Sequence, residues 1–426
     1  EQNSITSLFE TNPEESREFM MHYFNMWVVA GVVTYVIIPV IMIWRMKSYK
    51  PLTIKRYKIL FGVSLTVILC IVFISRLGQS VYFINFYNTF ASYKIRLYNE
   101  NKAIVRRQAI SYEVNQNESV RQPQTLVVVI GESLTRNHMQ LYGYGRTTNP
   151  LLSAKGDSIY VFTDVISPQV HTIPVIRSVL TFTERGDYDY FTTKPSVFEL
   201  FNRADYDTYF ISNQPFEGNF KTSYHVLLEL AQHTYDLTPK KEHDEVVLTK
   251  LEEVMKSDSS QNKLIVIHLI GNHMAYKFRY PSEFSVFDNK KDQFTQAANY
   301  LNQEAQQAID EYDNSVVYND FVIAKIIDIL NKDKEGDAAM IYFSDHGEEL
   351  YDYRNFAGHA YEKVSAYMCE VPFILWTSPD FMKNRPDLHI DTSRPYSTVD
   401  FIYAISNLAG LEYIDYNSQR SLFSED

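Results

Sequence analysis

Met340-Ile-Tyr-Phe-Ser-Asp345-His346-Gly347-Glu348-Glu349 is the stretch whose reading decides the fold. An apolar run of strand length ends in an Asp-His pair and a glycine, and open α/β sheets carry their chemistry at the carboxyl ends of strands. A carboxylate beside an imidazole suits a divalent metal, zinc first. Read alone, the same residues also make an ordinary Asp-His-Gly turn leaving a strand. The rest of the chain has to decide.

Working outward, strand-length apolar runs recur from Gln124 onward and alternate with helical patterns. They are Thr125 to Ile130, Thr208 to Ile211, Leu264 to Leu269, Met340 to Phe343 and Phe373 to Trp376, with long helical patterns at Leu301 to Leu330 and Val399 to Leu408. This alternation predicts an α/β fold: a mostly parallel sheet with helices on both faces, preceded by transmembrane helices.

The membrane part is read from two apolar runs. Tyr23 to Trp44 carries no charge and is long enough to span a bilayer as a helix; Ile59 to Ile74 is shorter, with Tyr57 and Tyr82 as interfacial anchors. Pro39 is tolerated in a membrane helix. A buried helical hairpin of a soluble domain is the rival reading. Between the runs stand Arg45, Lys47, Lys50, Lys55, Arg56 and Lys58 with no acidic residue, which puts that loop in the cytoplasm and both flanks outside. Residues 1–20 are amphipathic, with Ile5, Leu8 and Phe9 at helical spacing, and suit a membrane surface. The acidic stretch before the first run is unlike a cleavable signal, and a start at Glu1 suggests that further residues precede it. The predicted segments are a membrane part at 1–78, a connecting helix and linker at 79–120, and a globular domain at 121–426.

Composition narrows the partners. With 426 residues, 45% of them hydrophobic, the chain can bury a sizeable core. A net charge of −12 and no Lys/Arg cluster in the globular part exclude nucleic acid. Two cysteines, Cys70 and Cys369, imply no disulfide framework.

Three further stretches carry candidate chemistry. Gly131-Glu132-Ser133 puts a carboxylate at a strand's end; Ser133 lacks the second glycine of a nucleophile elbow, and His138 reads as a packing or polar-surface residue. In His171-Thr172-Ile-Pro174 a hydroxyl precedes a helix-opening proline, at the helix end that favours an anionic phosphate. Thr172 is therefore a nucleophile candidate, or else a helix N-cap. Leu264 to His273 ends another strand, with His268 as a core histidine and His273 as the better site residue; His359 follows at loop distance from the Asp-His pair.

Together these motifs resemble the phosphoethanolamine transferases of the alkaline phosphatase and sulfatase superfamily, especially the branch that decorates lipopolysaccharide core heptose. The likeness runs through TNPEESREF, VVVIGES with LYGYGR, HTIPVIRSVLTF, ISNQ, LIVIHLIGNH with YKFRYP, YDNSVVYND, YFSDHGEELYD and VPFILWTS. It implies that Glu132, Thr172, Asp345 and His346 ligate zinc, one ion tightly with a second left open, and that Thr172 is the nucleophile. It implies that His273 and His359 contact substrate phosphate or a second metal. Thr11 and Glu15 match positions that hold the ethanolamine head group, although Ser7 stands where some branches have Asn. Family members carry five membrane helices, of which the two runs resemble the last two. The disulfides of the lipid A branches cannot form from these cysteines. Sulfatases place a modified Cys in Cys-x-Pro-x-Arg, whereas Thr172-Ile-Pro174-Val-Ile-Arg177 has Thr there and Arg one residue late, which argues against sulfate ester hydrolysis.

The implied activity moves phosphoethanolamine from phosphatidylethanolamine to a lipopolysaccharide (core heptose or lipid A) or a similar envelope glycan, through a phospho-threonine. The implied location is the bacterial inner membrane, with 121–426 a periplasmic catalytic domain. The rivals are a metal-dependent phosphodiesterase or phosphoglycerol transferase of the same superfamily, and a non-catalytic envelope-binding protein.

Overall fold

The computed structural model describes residues 30–31, 33–46, 66, 82–108, 112–117, 125–183, 193–214, 223–240, 242–257, 262–288, 301–332 and 337–425. The chain divides into two compact units, Glu1–Tyr98 and Asn99–Asp426. All of residues 1–20 with Thr11 and Glu15, residues 23–29 and 32 of the first apolar run, and all of the second run but residue 66 lie outside the described residues. In the first unit a π-helical turn at Val33–Ile37 leads into an α-helix at Ile38–Met46. Pro39 explains the wider turn, because its ring cannot sit against the carbonyl four residues back and its nitrogen donates no hydrogen bond. Among the described residues no helix is long and apolar enough to cross a membrane. A helix at Tyr82–Gln108 fills most of the stretch expected to connect the parts. Within the expected linker, Val114–Gln116 pairs antiparallel with Leu411–Tyr413.

The second unit is built on a seven-stranded sheet. Its strands are β1 (Thr125–Gly131), β2 (Ile159–Phe162), β3 (Tyr206–Ser212), β4 (His233–Asp236), β5 (Asn262–His268), β6 (Ala338–Ser344) and β7 (Phe373–Thr377). The order across the sheet is β2-β7-β6-β1-β5-β3-β4. From β6 to β4 every pairing is parallel, with Val127 of β1 level with Met340 of β6 and Ile265 of β5. The sheet is mixed, mostly parallel as expected, with β7 running antiparallel to both β6 and β2. An apolar run has no direction, so periodicity cannot orient it.

Side chains alternate across the strands and feed two cores. Leu126, Val128 and Ile130 face one, built with helices α1 (Thr172–Val179) and α4 (Phe401–Ala409). Val127 and Val129 face the other, built with α2 (Val246–Met255) and α3 (Gln303–Leu330). Helices thus cover both faces. Because β1, β3, β5 and β6 are parallel, the loops leaving their carboxyl ends meet along one edge, and Glu132, Gln214, His273, Asp345 and His346 all lie just past those ends.

Candidate metal and phosphoryl-transfer site

Backbone bonds across the edge fix the first two loops. The Asp345 N–H donates to the Gly131 carbonyl, and Leu134 N–H to Ser344 Oγ, so the loops after β1 and β6 leave side by side. Ser133 sits in the left-handed region at φ 55°, which turns its N–H onto Asp345 Oδ1 at 3.1 Å. Its hydroxyl donates to Glu132 Oε1 at 2.7 Å, so Ser133 supports the carboxylate. The third loop is pressed against the same point. Asp244 accepts from the N–H groups of Ile270 and Gly271, and Asn272 N–H donates to the Glu132 carbonyl at 2.9 Å. Gly271, at φ +51°, is required there, since a Cβ would lie 2.8 Å from the Glu132 nitrogen.

Glu132, Asp345 and His346 are wholly buried. Their donor atoms lie within 4.8 Å of one another. His346 Nε2 is 3.3 Å from Glu132 Oε1 and 3.4 Å from Asp345 Oδ2. His346 Nδ1 is 2.9 Å from the Gly347 carbonyl, a contact that puts the ring hydrogen on Nδ1 and leaves Nε2 with its lone pair. Asp345 Oδ2 and His346 Nε2 are buried and make no hydrogen bond, a costly arrangement unless something else binds them. Two carboxylates and an imidazole of this kind fit zinc. Without a cation, burial pushes Asp345 up and Glu132 adds to it. Burial would also raise Glu132 and lower His346, but their mutual attraction overrides it, holding Glu132 low and His346 high.

Thr172 reaches this carboxylate pair from α1. His171, in extended backbone, is the N-cap, and Thr172 is the first helical residue, so its side chain does not cap the helix as the local reading allowed. Its hydroxyl instead donates to Glu132 Oε2 at 3.0 Å. Gln214 Nε2 donates to the same oxygen at 2.8 Å and to the Leu269 carbonyl at 2.9 Å.

Histidines line the remainder. His359 packs on His346 with ring centroids 4.2 Å apart, and on His171 at 5.1 Å. His171 stacks flat on Tyr361 at 4.2 Å. Burial first, then the neighbouring His359 and His346, push His171 down to about 3. Burial takes His273 down to about 4, against the pull of Glu132, and His359 and Glu348 are also near enough to act on it. His268 lies buried on β5, pushed down to about 4 by burial, as a core histidine should be. Of the two readings of His138 the packing one holds: it is buried, with Nδ1 2.7 Å from Asp313 and Nε2 3.2 Å from Asp352. The structure thus gathers Glu132, Thr172, His273, Asp345, His346 and His359 at one edge. The sequence reading did not single out His171, Gln214 or Glu348, although ISNQ and DHGEE place polar residues just past the ends of β3 and β6. Cys369 is a free thiol, half-buried and pushed up by that burial.

Comparisons with known proteins give the family of the chain. Residues 124–411 match the family model described as Sulfatase. The phosphoethanolamine transferase EptC of Escherichia coli (strain K12) is 32% identical over 450 residues, covering 99% of this chain and 77% of the relative. The crystal structure of the C-terminal periplasmic domain of EptC from Escherichia coli, in complex with Zn, is 33% identical with a TM-score of 0.68, covering 74% of this chain and 89% of that one. The integral membrane protein lipooligosaccharide phosphoethanolamine transferase A of Neisseria meningitidis shares the fold, with a TM-score of 0.72 at 21% identity, covering 99% of this chain and 82% of that one. The chain belongs to the phosphoethanolamine transferases of the alkaline phosphatase and sulfatase superfamily.

Proposed function

We propose that the protein transfers phosphoethanolamine from phosphatidylethanolamine to a lipopolysaccharide, at core heptose or lipid A, or to a related envelope glycan, through a phosphoethanolamine ester on Thr172. The observation that carries this reading is the bond from the Thr172 hydroxyl to Glu132 Oε2 at 3.0 Å, beside the unbonded Asp345 Oδ2 and His346 Nε2. Glu132, Asp345, His346 and Thr172 Oγ would hold the zinc. When bound, the ion supplies Lewis acidity for the threonine oxygen and the phosphoryl group.

The chain's own residues then do the following. Glu132 orients the Thr172 oxygen, and Gln214 and Ser133 hold Glu132 still. In the first step Thr172 gives up its hydroxyl proton as the Oγ–P bond forms and the bond from phosphorus to the diacylglycerol oxygen breaks; that oxygen takes up a proton in turn and leaves as diacylglycerol. In the second, an acceptor hydroxyl gives up its proton, bonds the phosphorus and releases Thr172, so the kinetics are ping-pong. His273 and His359 serve these proton movements and the phosphoryl oxygens.

On this reading residues 1–78 anchor the protein in the bacterial inner membrane, with Thr11 and Glu15 at the head group, residues 79–120 connect, and residues 121–426 work in the periplasm. The test is intact mass after incubation with phosphatidylethanolamine micelles. The native chain gains one phosphoethanolamine and Thr172→Ala gains none. An adduct that persists in Thr172→Ala sinks the assignment.

A further inference from the structure

Glu348 is 1% exposed, and both of its oxygens are taken. The Tyr276 hydroxyl donates to Oε1 at 2.6 Å, and His359 Nδ1 lies 2.6 Å from Oε2. Carboxylate oxygens accept, so the shared hydrogen of the second contact sits on Nδ1. A neutral imidazole then has its lone pair on Nε2. The ring cannot turn over freely to exchange its nitrogens, because it packs on His346 at 4.2 Å and on His171 at 5.1 Å, and His171 is stacked on Tyr361. His346, Glu348 and His359 are close enough together to suggest a second metal cage. As arranged, though, Nδ1 and the carboxylate satisfy each other, which makes a hydrogen-bonded relay. The neighbouring Glu349 is used differently: Arg354 grips its two oxygens at 2.7 Å each.

We propose that Glu348, braced by Tyr276, is a positioning residue for transfer: it fixes His359 with hydrogen on Nδ1 and so presents Nε2 to accept a hydrogen bond from the hydroxyl of the acceptor. This rests on the phosphoethanolamine-transfer reading above and assigns the relay to its second step. There the acceptor oxygen bonds phosphorus and the Oγ–P bond of Thr172 breaks, its electron pair going to Oγ. The acceptor's proton crosses by way of Nε2 to Oγ.

Glu348→Gln is the informative variant, because a Gln amide can donate to Nδ1 and so drive the ring hydrogen onto Nε2. On the full chain with phosphatidylethanolamine micelles, intact mass follows formation of the Thr172 adduct and then its loss on adding heptose-containing lipopolysaccharide. The expected result is release slowed about 100-fold, with formation slowed far less. His359→Ala should slow release to a similar extent, and adding Glu348→Gln to it should cost nothing further. Nitrogen-15 NMR of histidine-labelled native protein should show His359 protonated at Nδ1, and Tyr276→Phe should slow release by about 3-fold to 10-fold. Release at the native rate in folded Glu348→Gln, additive losses in the double variant, or a native His359 protonated at Nε2 would each overturn the proposal. If Glu348→Gln does not fold, Tyr276→Phe and the native NMR spectrum decide. A native chain that forms no adduct overturns the transfer reading and this proposal together, whereas native transfer with an indifferent Glu348 overturns this proposal alone.

Discussion

The Thr172 hydroxyl donates to Glu132 Oε2 at 3.0 Å across 40 positions of sequence. One residue opens a helix and the other leaves a strand, and the proposed reactive centre needs both.

The first prediction concerns the metal. Chelation leaves Asp345 Oδ2 and His346 Nε2 buried without partners, and zinc restored at 100 times its Kd adds about 2.7 kcal/mol of stability. Calorimetry of stripped and reloaded protein should therefore show a rise of roughly 5 °C in Tm. Equal melting of the two forms would argue against a cation at this trio.

Gln214 is the second. Gln214→Ala removes donors to Glu132 Oε2 and to the Leu269 carbonyl and loosens the carboxylate that holds the threonine. Zinc affinity or turnover should fall by about 10-fold to 100-fold, with a stability loss of about 1–2 kcal/mol. Unchanged zinc titration and unchanged adduct formation would show that Glu132 needs no such support.

A third prediction tests the backbone. At Gly271 an added Cβ meets the Glu132 nitrogen at 2.8 Å in a left-handed conformation, and at Gly347 it meets the Tyr367 carbonyl at 2.1 Å. Gly271→Ala should cost about 1–3 kcal/mol from strain alone, before any clash is counted. Gly347→Ala should also unfold at lower denaturant than the native chain. Native stability with full zinc loading in both would refute the close packing behind the site.

The fourth is a pH dependence away from the metal. Burial pulls His138 down, but Asp313 and then Asp352 overcome it and hold the imidazole up at about 9, against 6.5 for the ordinary group. A folded-state value above the unfolded one means that the pair stabilises fully below pH 6.5 and loses this contribution as pH rises through 9. The difference corresponds to about 3 kcal/mol. Urea midpoints of native protein should decline between these limits, and His138→Gln should flatten that decline. An equal slope in the variant would assign the pH dependence elsewhere.

Much of this architecture could be read from the chain because fully buried parallel strands spell themselves out as apolar runs, as in Leu126 to Ile130 and Leu264 to Ile267. The short strands at the sheet's two edges, Ile159–Phe162 and His233–Asp236, did not stand out, since edge strands carry mixed and partly exposed residues. Carboxylates just past strand ends pointed to Glu132 and Asp345 on chemical grounds. Thr172 was ambiguous locally because its partner lies on another element. Gln214 carries no metal or nucleophile signature, and only the meeting of β3 with β5 gives its amide a role. Glu348 and Glu349 are indistinguishable as letters; the fold sends one to His359 and the other to Arg354.

The pairing of β1 with β6 carries one more consequence. Ser133 and Asp345 are 212 positions apart, and β6 is among the later strands to leave the ribosome. Long-range pairing of this kind closes late and slowly. Until it does, Thr172 is an ordinary alcohol and Glu132 an ordinary acid. On the proposed reading the order of synthesis therefore acts as a safety catch: a nascent or truncated chain that stops short of β6 lacks Asp345 and His346, and with them two of the three clustered metal-ligand candidates.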